Sequence, residues 1–166
     1  MVFDVKLREQ SETSLLELSE ISIREQCEPY YASDTNYKNM SKLVYNFEDL
    51  LIWQMAKDIV REIYLLYKDN HDYGFRDQIQ RAAVSIMNNI SEGFQRNKFS
   101  KDNKQFVNFL NISYGSCAEV RSMLYIAEEI GYISHDMSKS LRIKITDLEY
   151  KLEAFIKVLK NNQPSK

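Results

Sequence analysis

The chain has 166 residues, 44% hydrophobic and 28% charged, with a formal net charge of −2. That length is one domain's worth with room for a core, and the near-neutral balance excludes a global basic field for nucleic acid. Only four glycines and two prolines occur, the latter at Pro29 and Pro164, which favours long helices over a strand-rich fold.

Residues 1–46 read as an N-terminal extension. Ser14 and Glu17 have the spacing of a capping box, and Leu15, Leu18 and Ile21 follow at helical intervals, so a helix is expected from about Ser14 to Gln26. Pro29 to Tyr37 reads as a linker whose three tyrosines lie on some surface. The extension is either a partner-binding or targeting arm, or a packing appendage on the bundle or on a neighbouring subunit. Residues 1–45 carry five Lys/Arg against eight Asp/Glu, the remainder 17 against 16, so neither part is extreme. The start MVFDVKLREQ lacks the pattern of a signal peptide, and no 18-residue apolar run exists to span a membrane. Cys27 and Cys117 form no CxxC pair. The expectation is a cytoplasmic protein with two reduced thiols and no membrane contact.

Residues 47–160 carry four helical patterns. The first runs from about Glu48 to Lys68, with Ile52, Ala56, Ile59, Ile63 and Leu66 in one stripe. Trp53, Val60, Tyr64 and Tyr67 make a second stripe, which is either an oligomer interface or the flank of a wide buried face. The second helix, Phe75 to Gly93, buries Ile79, Ala82, Ala83, Ile86 and Ile90, and Gly93 stands where a left-handed glycine ends a helix. A link of about six residues, Phe94 to Phe99, makes its neighbour antiparallel. Ser100 is the expected N-cap of the third helix, which reaches about Ile130. Gly115, Ser116, Cys117 and Ala118 are small, so a neighbouring helix packs tightly there or the helix kinks. The last helix, about Asp136 to Leu159, has the cleanest stripe: Leu141, Ile145, Leu148, Leu152, Phe155 and Leu159. Residues 161–166 are expected to fray. The fold class is all-α: an antiparallel up-down-up-down four-helix bundle with an N-terminal extension.

Several of these residues together resemble a known family. Gln78 to Ala82, Ser85-Ile86, Asn89 to Gly93, Phe109-Leu110, Gly115-Ser116, Glu119 and Gly131 to Ile133 fit its pattern, as do Phe47 to Leu50, Trp53-Gln54 and Ala56. The chain is similar to the four-helix bundle proteins first noticed as products of open reading frames within intervening sequences of bacterial large-subunit ribosomal RNA genes. The resemblance implies an antiparallel bundle, often assembled into a homo-oligomeric ring of five, with no established enzymatic activity. A related branch serves as an accessory protein of diversity-generating retroelements, contacting a reverse transcriptase and nucleic acid.

No catalytic constellation appears. The bundle di-iron pattern needs Glu-x-x-His pairs, but the residues three before His71 and His135 are Lys68 and Tyr132, and the core stripes hold no carboxylate. Neither a metal nor another cofactor is expected, and both histidines read as solvated loop residues. Asn89 is the odd polar residue on its stripe and needs hydrogen-bond partners. Glu92 and Glu119 flank the small-residue region and are candidates to pair with Arg81 or Arg121, or to cap backbone N–H groups. The candidate nucleic-acid site is the central turn: Arg96, Lys98, Lys101 and Lys104, with Phe94 and Phe99 interleaved and Asp102 diluting the charge. Cations there would hold phosphates and rings would stack on bases. The expected function is a non-enzymatic, homo-oligomeric accessory protein that binds RNA or a nucleoprotein. The alternative is a protein–protein adaptor without nucleic-acid contact.

Overall fold

A computed structural model of the chain describes residues 46–100 and 102–161. These form a short 3-10 turn, Phe47–Asp49, and four helices: α1, Leu51–Leu66; α2, Tyr73–Asn97; α3, Lys104–Glu129; and α4, His135–Asn161. Among the described residues there is no strand. The expected helix at Ser14–Gln26, the linker after it, Lys101 and the tail 162–166 lie outside the described residues.

Each helix packs on the next in sequence and α4 closes back on α1, while no Cα atoms of the diagonal pairs come within 8 Å. The directions alternate. Ser85 meets Ser116 and the Ile86 carbonyl meets Ser113 across α2 and α3. Arg121 meets Glu149 and Arg142 meets Glu128 across α3 and α4. The predicted stripes form the core: Ile52, Ala56, Ile59 and Ile63 from α1 are buried, as are Ile79, Ala83, Ile86 and Ile90 from α2. Leu110, Cys117, Val120 and Leu124 from α3 and Leu141, Ile145, Leu148 and Leu152 from α4 are buried as well.

The helix ends differ from expectation in ways that have a physical reason. α2 passes through Gly93 and continues to Asn97. The left-handed glycine is Gly131, at φ 75°, after α3. There Tyr132 N–H donates to the Ala127 carbonyl at 2.8 Å, satisfying an end carbonyl. Gly93 has a packing reason instead. A Cβ on it would sit 2.6 Å from Phe109 Cβ and 2.8 Å from the Phe106 ring, so α3 crosses where α2 has no side chain. Ser100 does not cap α3. Its hydroxyl donates to the Asp102 carbonyl, and the Asp102 carboxylate accepts from Lys104 N–H at 3.1 Å. At the other end, Asp72 caps α2 by accepting from Phe75 N–H at 3.0 Å. It also accepts from the Tyr132 hydroxyl, tying the α1–α2 link to the α3–α4 link.

Candidate interaction surfaces

The central turn sits at the end of the bundle where α2 finishes and α3 begins. Arg96 pairs with Glu92 at 2.7 Å and lies over the Phe109 ring. Lys104 pairs with Asp102 at 3.4 Å. Lys98 lies 5.6 Å from the Phe94 ring centre. Phe94 is half-buried, edge-on to Phe106, so its ring is committed to the core rather than held out for a base. Phe99 is the opposite case, 92% exposed at the tip of the turn. Of the six candidate residues, four cations and two rings, Phe99 is thus the open ring and Lys98 an exposed cation in no ion pair among the described residues, with Lys101 outside them. The fold adds a residue that spacing did not: Asn103 Nδ2 donates to the Leu159 carbonyl, which brings the end of α4, with Lys160 in its last turn, to this same rim.

The second candidate surface was the aromatic stripe of α1. Tyr64 is 47% exposed, whereas Trp53 and Val60 are half-buried, Trp53 stacking edge-on with Phe47 at 5.1 Å. Tyr67 is a correction: at 1% exposure against Phe75 it belongs to the core. Burial pushes its hydroxyl up to about 12. The stripe drifts inward because it lies at the flank of the buried face and the chain turns over it after Leu66. The outward face of α1 carries Lys57, Arg61 and Tyr64, with Leu65 beside them, 68% exposed.

The motif residues gather on the seam between α2 and α3. Gln78 donates to Glu119, and Arg81 donates to Gln78 while pairing with Asp77. Asn89 Nδ2 donates to the Ser85 carbonyl at 2.7 Å, one turn back, and the Ser85 hydroxyl meets that of Ser116 at 2.9 Å. The partners of Glu92 and Glu119 are therefore Arg96 and Gln78, not Arg81 or Arg121.

Arg121 points to the other side, onto Glu149, which is buried to 7% exposure between α3 and α4. This corrects the expectation of a carboxylate-free core. Burial raises the Glu149 carboxyl and the nearby arginine opposes the rise. The same burial pushes the Cys117 thiol up to about 12, making it an inert core group. His135 is likewise not a free loop residue. It begins α4, and its Nδ1 meets Glu128 at 2.6 Å, while Arg142 holds the other oxygen of that carboxylate. Among the described residues no three potential ligands cluster as a metal site, and no helix is long and apolar enough to cross a membrane.

The tight-packing reading of Gly115 meets a different outcome inside the bundle. Ser116 and Cys117 face inward, but Gly115 faces out, and a Cβ placed on it would meet no atom of the described residues within 4 Å. Exposed positions of α3 between Asn108 and Tyr125 carry a single charge, Glu119. The signal was present as the run of small residues, but which of them faced a neighbour depended on the helix's rotation.

Comparison with known proteins came to one family and one fold. The model of the family described as 23S rRNA-intervening sequence protein matches residues 48–154. A solved structure of similar fold is a protein of unknown function from the S23 ribosomal protein family of Bacteroides thetaiotaomicron VPI-5482. It is 24% identical, with a TM-score of 0.59 over 64% of this chain and 99% of the other. Among curated proteins none matches.

Proposed function

The chain belongs to the 23S rRNA-intervening sequence protein family, and from that membership we propose a non-enzymatic, self-associating bundle that contacts RNA or a nucleoprotein through the α2–α3 turn. The observation that carries the reading is Phe99, 92% exposed and adjacent in sequence to Lys98. A large ring held fully in water costs free energy unless a partner covers it, and a ring beside cations is the arrangement that binds single-stranded nucleic acid. Lys160 at the same rim adds positive potential. Repetition of the rim around a homo-oligomer, the ring of five that the resemblance implies, would multiply weak contacts.

Filter binding of single-stranded RNA across a salt series tests this. Phe99→Ala is expected to cost about 1–3 kcal/mol if the ring stacks on a base. Reversing Arg96 and Lys98 together is expected to lower the salt slope by about 1–2, since each phosphate contact contributes roughly 0.7 on a single strand. Binding that is absent at low salt, or indifferent to all three changes, removes the turn as an RNA contact.

A second reading has its own observation. Arg96 and Lys104 are held by Glu92 and Asp102, which leaves less free charge than the sequence count suggests. That favours an adaptor binding protein alone. Capture of the same partner proteins before and after nuclease treatment, with no RNA affinity, would select it.

A further inference from the structure

We propose that Asn97 and Asn103 are positioning residues for the RNA contact: their side chains clasp the ends of α2, α3 and α4 and so set where Phe99 stands. This rests on the RNA reading of the α2–α3 turn given above and names what holds that turn in place.

Asn103 occupies the N-cap of α3, and asparagine is among the best capping residues. Its side chain nevertheless makes no capping bond to its own helix. The first N–H of α3 is met by Asp102 instead. Asn103 Nδ2 reaches across to the Leu159 carbonyl at 3.2 Å. Leu159 lies in the last turn of α4, where carbonyls have no partner within their own helix. Asn103 Oδ1 accepts from Asn97 Nδ2, at the end of α2, at 3.0 Å. Two side chains thus join three helix ends.

The direction of these bonds is forced. A carbonyl only accepts, so Asn103 must turn its amide nitrogen to Leu159 and its oxygen to Asn97. Asn97 must then donate, which leaves its own Oδ1 buried and without a donor among the described residues. An unmet buried acceptor lowers stability. Nor is the clasp needed to keep the helices in contact. One turn deeper, Phe94, Phe106 and Phe155 pack edge to face across the same three helices. What the clasp adds lies at the turn itself. The Asn97 backbone carbonyl accepts from Ser100 N–H at 3.0 Å, closing the bend that carries Phe99. Both legs of the turn, at Asn97 and Asn103, are therefore tied to α4, and the exposed ring between them stands on a fixed base. A group held in place beforehand loses less freedom when it binds.

The test is the affinity of the full-length protein for single-stranded oligouridine by filter binding, with urea melts as the control for folding. Asn97→Leu with Asn103→Leu keeps the approximate shape of both side chains and removes the unmet acceptor, so the melt should stay in place or move upward. RNA binding by this double variant should weaken by about tenfold, within the worth of one stacked base. Asn103→Ala alone, which cuts both side-chain bonds without adding bulk, should weaken binding in the same direction. With Phe99→Ala already present, the double variant should cost no more than about twofold further, because residues that act through one another are not additive. A wild type that does not bind overturns the RNA reading and this inference together. Wild-type binding that the double variant leaves unchanged overturns this inference alone, as does an equal loss with and without the Phe99 ring. Destabilisation large enough to account for the lost binding would make the clasp a structural one and overturn the inference too.

Discussion

At the scale of single residues, two glycines of the same sequence character do opposite things. Gly93 is buried where α3 crosses, and Gly115 is exposed, with no atom of the described residues within 4 Å of a Cβ placed on it. Gly93→Ala should destabilise by about 1–3 kcal/mol, because Phe106 and Phe109 must move to admit one methyl group. Gly115→Ala should stabilise the isolated bundle by about 0.5–1 kcal/mol, because only the backbone's freedom in the unfolded chain changes. Urea melts of the two variants check both signs, and the same sign for both would refute the packing described. A regular stripe of small and apolar residues made the core positions legible. It left the roles of these two glycines unreadable, since both depend on which atoms of a neighbour come near.

At the scale of elements, the α3–α4 link is held by one carboxylate. Glu128 takes His135 and Arg142 on its two oxygens, and these hydrogen bonds, His135 first, pull its carboxyl from 4.5 to about 2. The folded state thus favours the charged form. Its contribution to stability is complete above the ordinary carboxylate range and is lost as pH falls from about 4.5 towards 2. Glu128→Gln should flatten that part of the stability profile, measured by urea melts at stepped pH. A variant with an unchanged acid slope would mean that other carboxylates set it. Neither partner could be read from the sequence. His135 falls seven residues on and Arg142 fourteen, spacings that only the reversal of the chain at Gly131 makes close. Arg121 and Glu149 are a longer-range case of the same reversal, 28 residues apart.

At the scale of the whole molecule, four helices enclose their apolar sides and leave two unlike outer faces, one with cations and large side chains on α1 and one small and nearly uncharged on α3. A bundle of this kind offers surfaces to partners. The division of the chain at about residue 46 is itself a proposal. Removing residues 1–45 should leave a cooperatively melting helical protein, read by circular dichroism, because the described residues 50–159 already build a continuous buried core. Loss of cooperativity on truncation would make the extension part of the folding unit.

What the sequence determined by itself was periodicity: helix number, order, the inward stripes and the family pattern, all of which depend on neighbours within one or two turns. Tertiary structure alone decided which polar groups meet, that Tyr67 and Glu149 are buried, that Phe94 is committed to the core while Phe99 is not, and which side of α3 faces out. The physical reason is that burial and pairing are set by rotation of each helix about its own axis, and a rotation of a few tens of degrees exchanges a core position for a surface one without altering the local pattern.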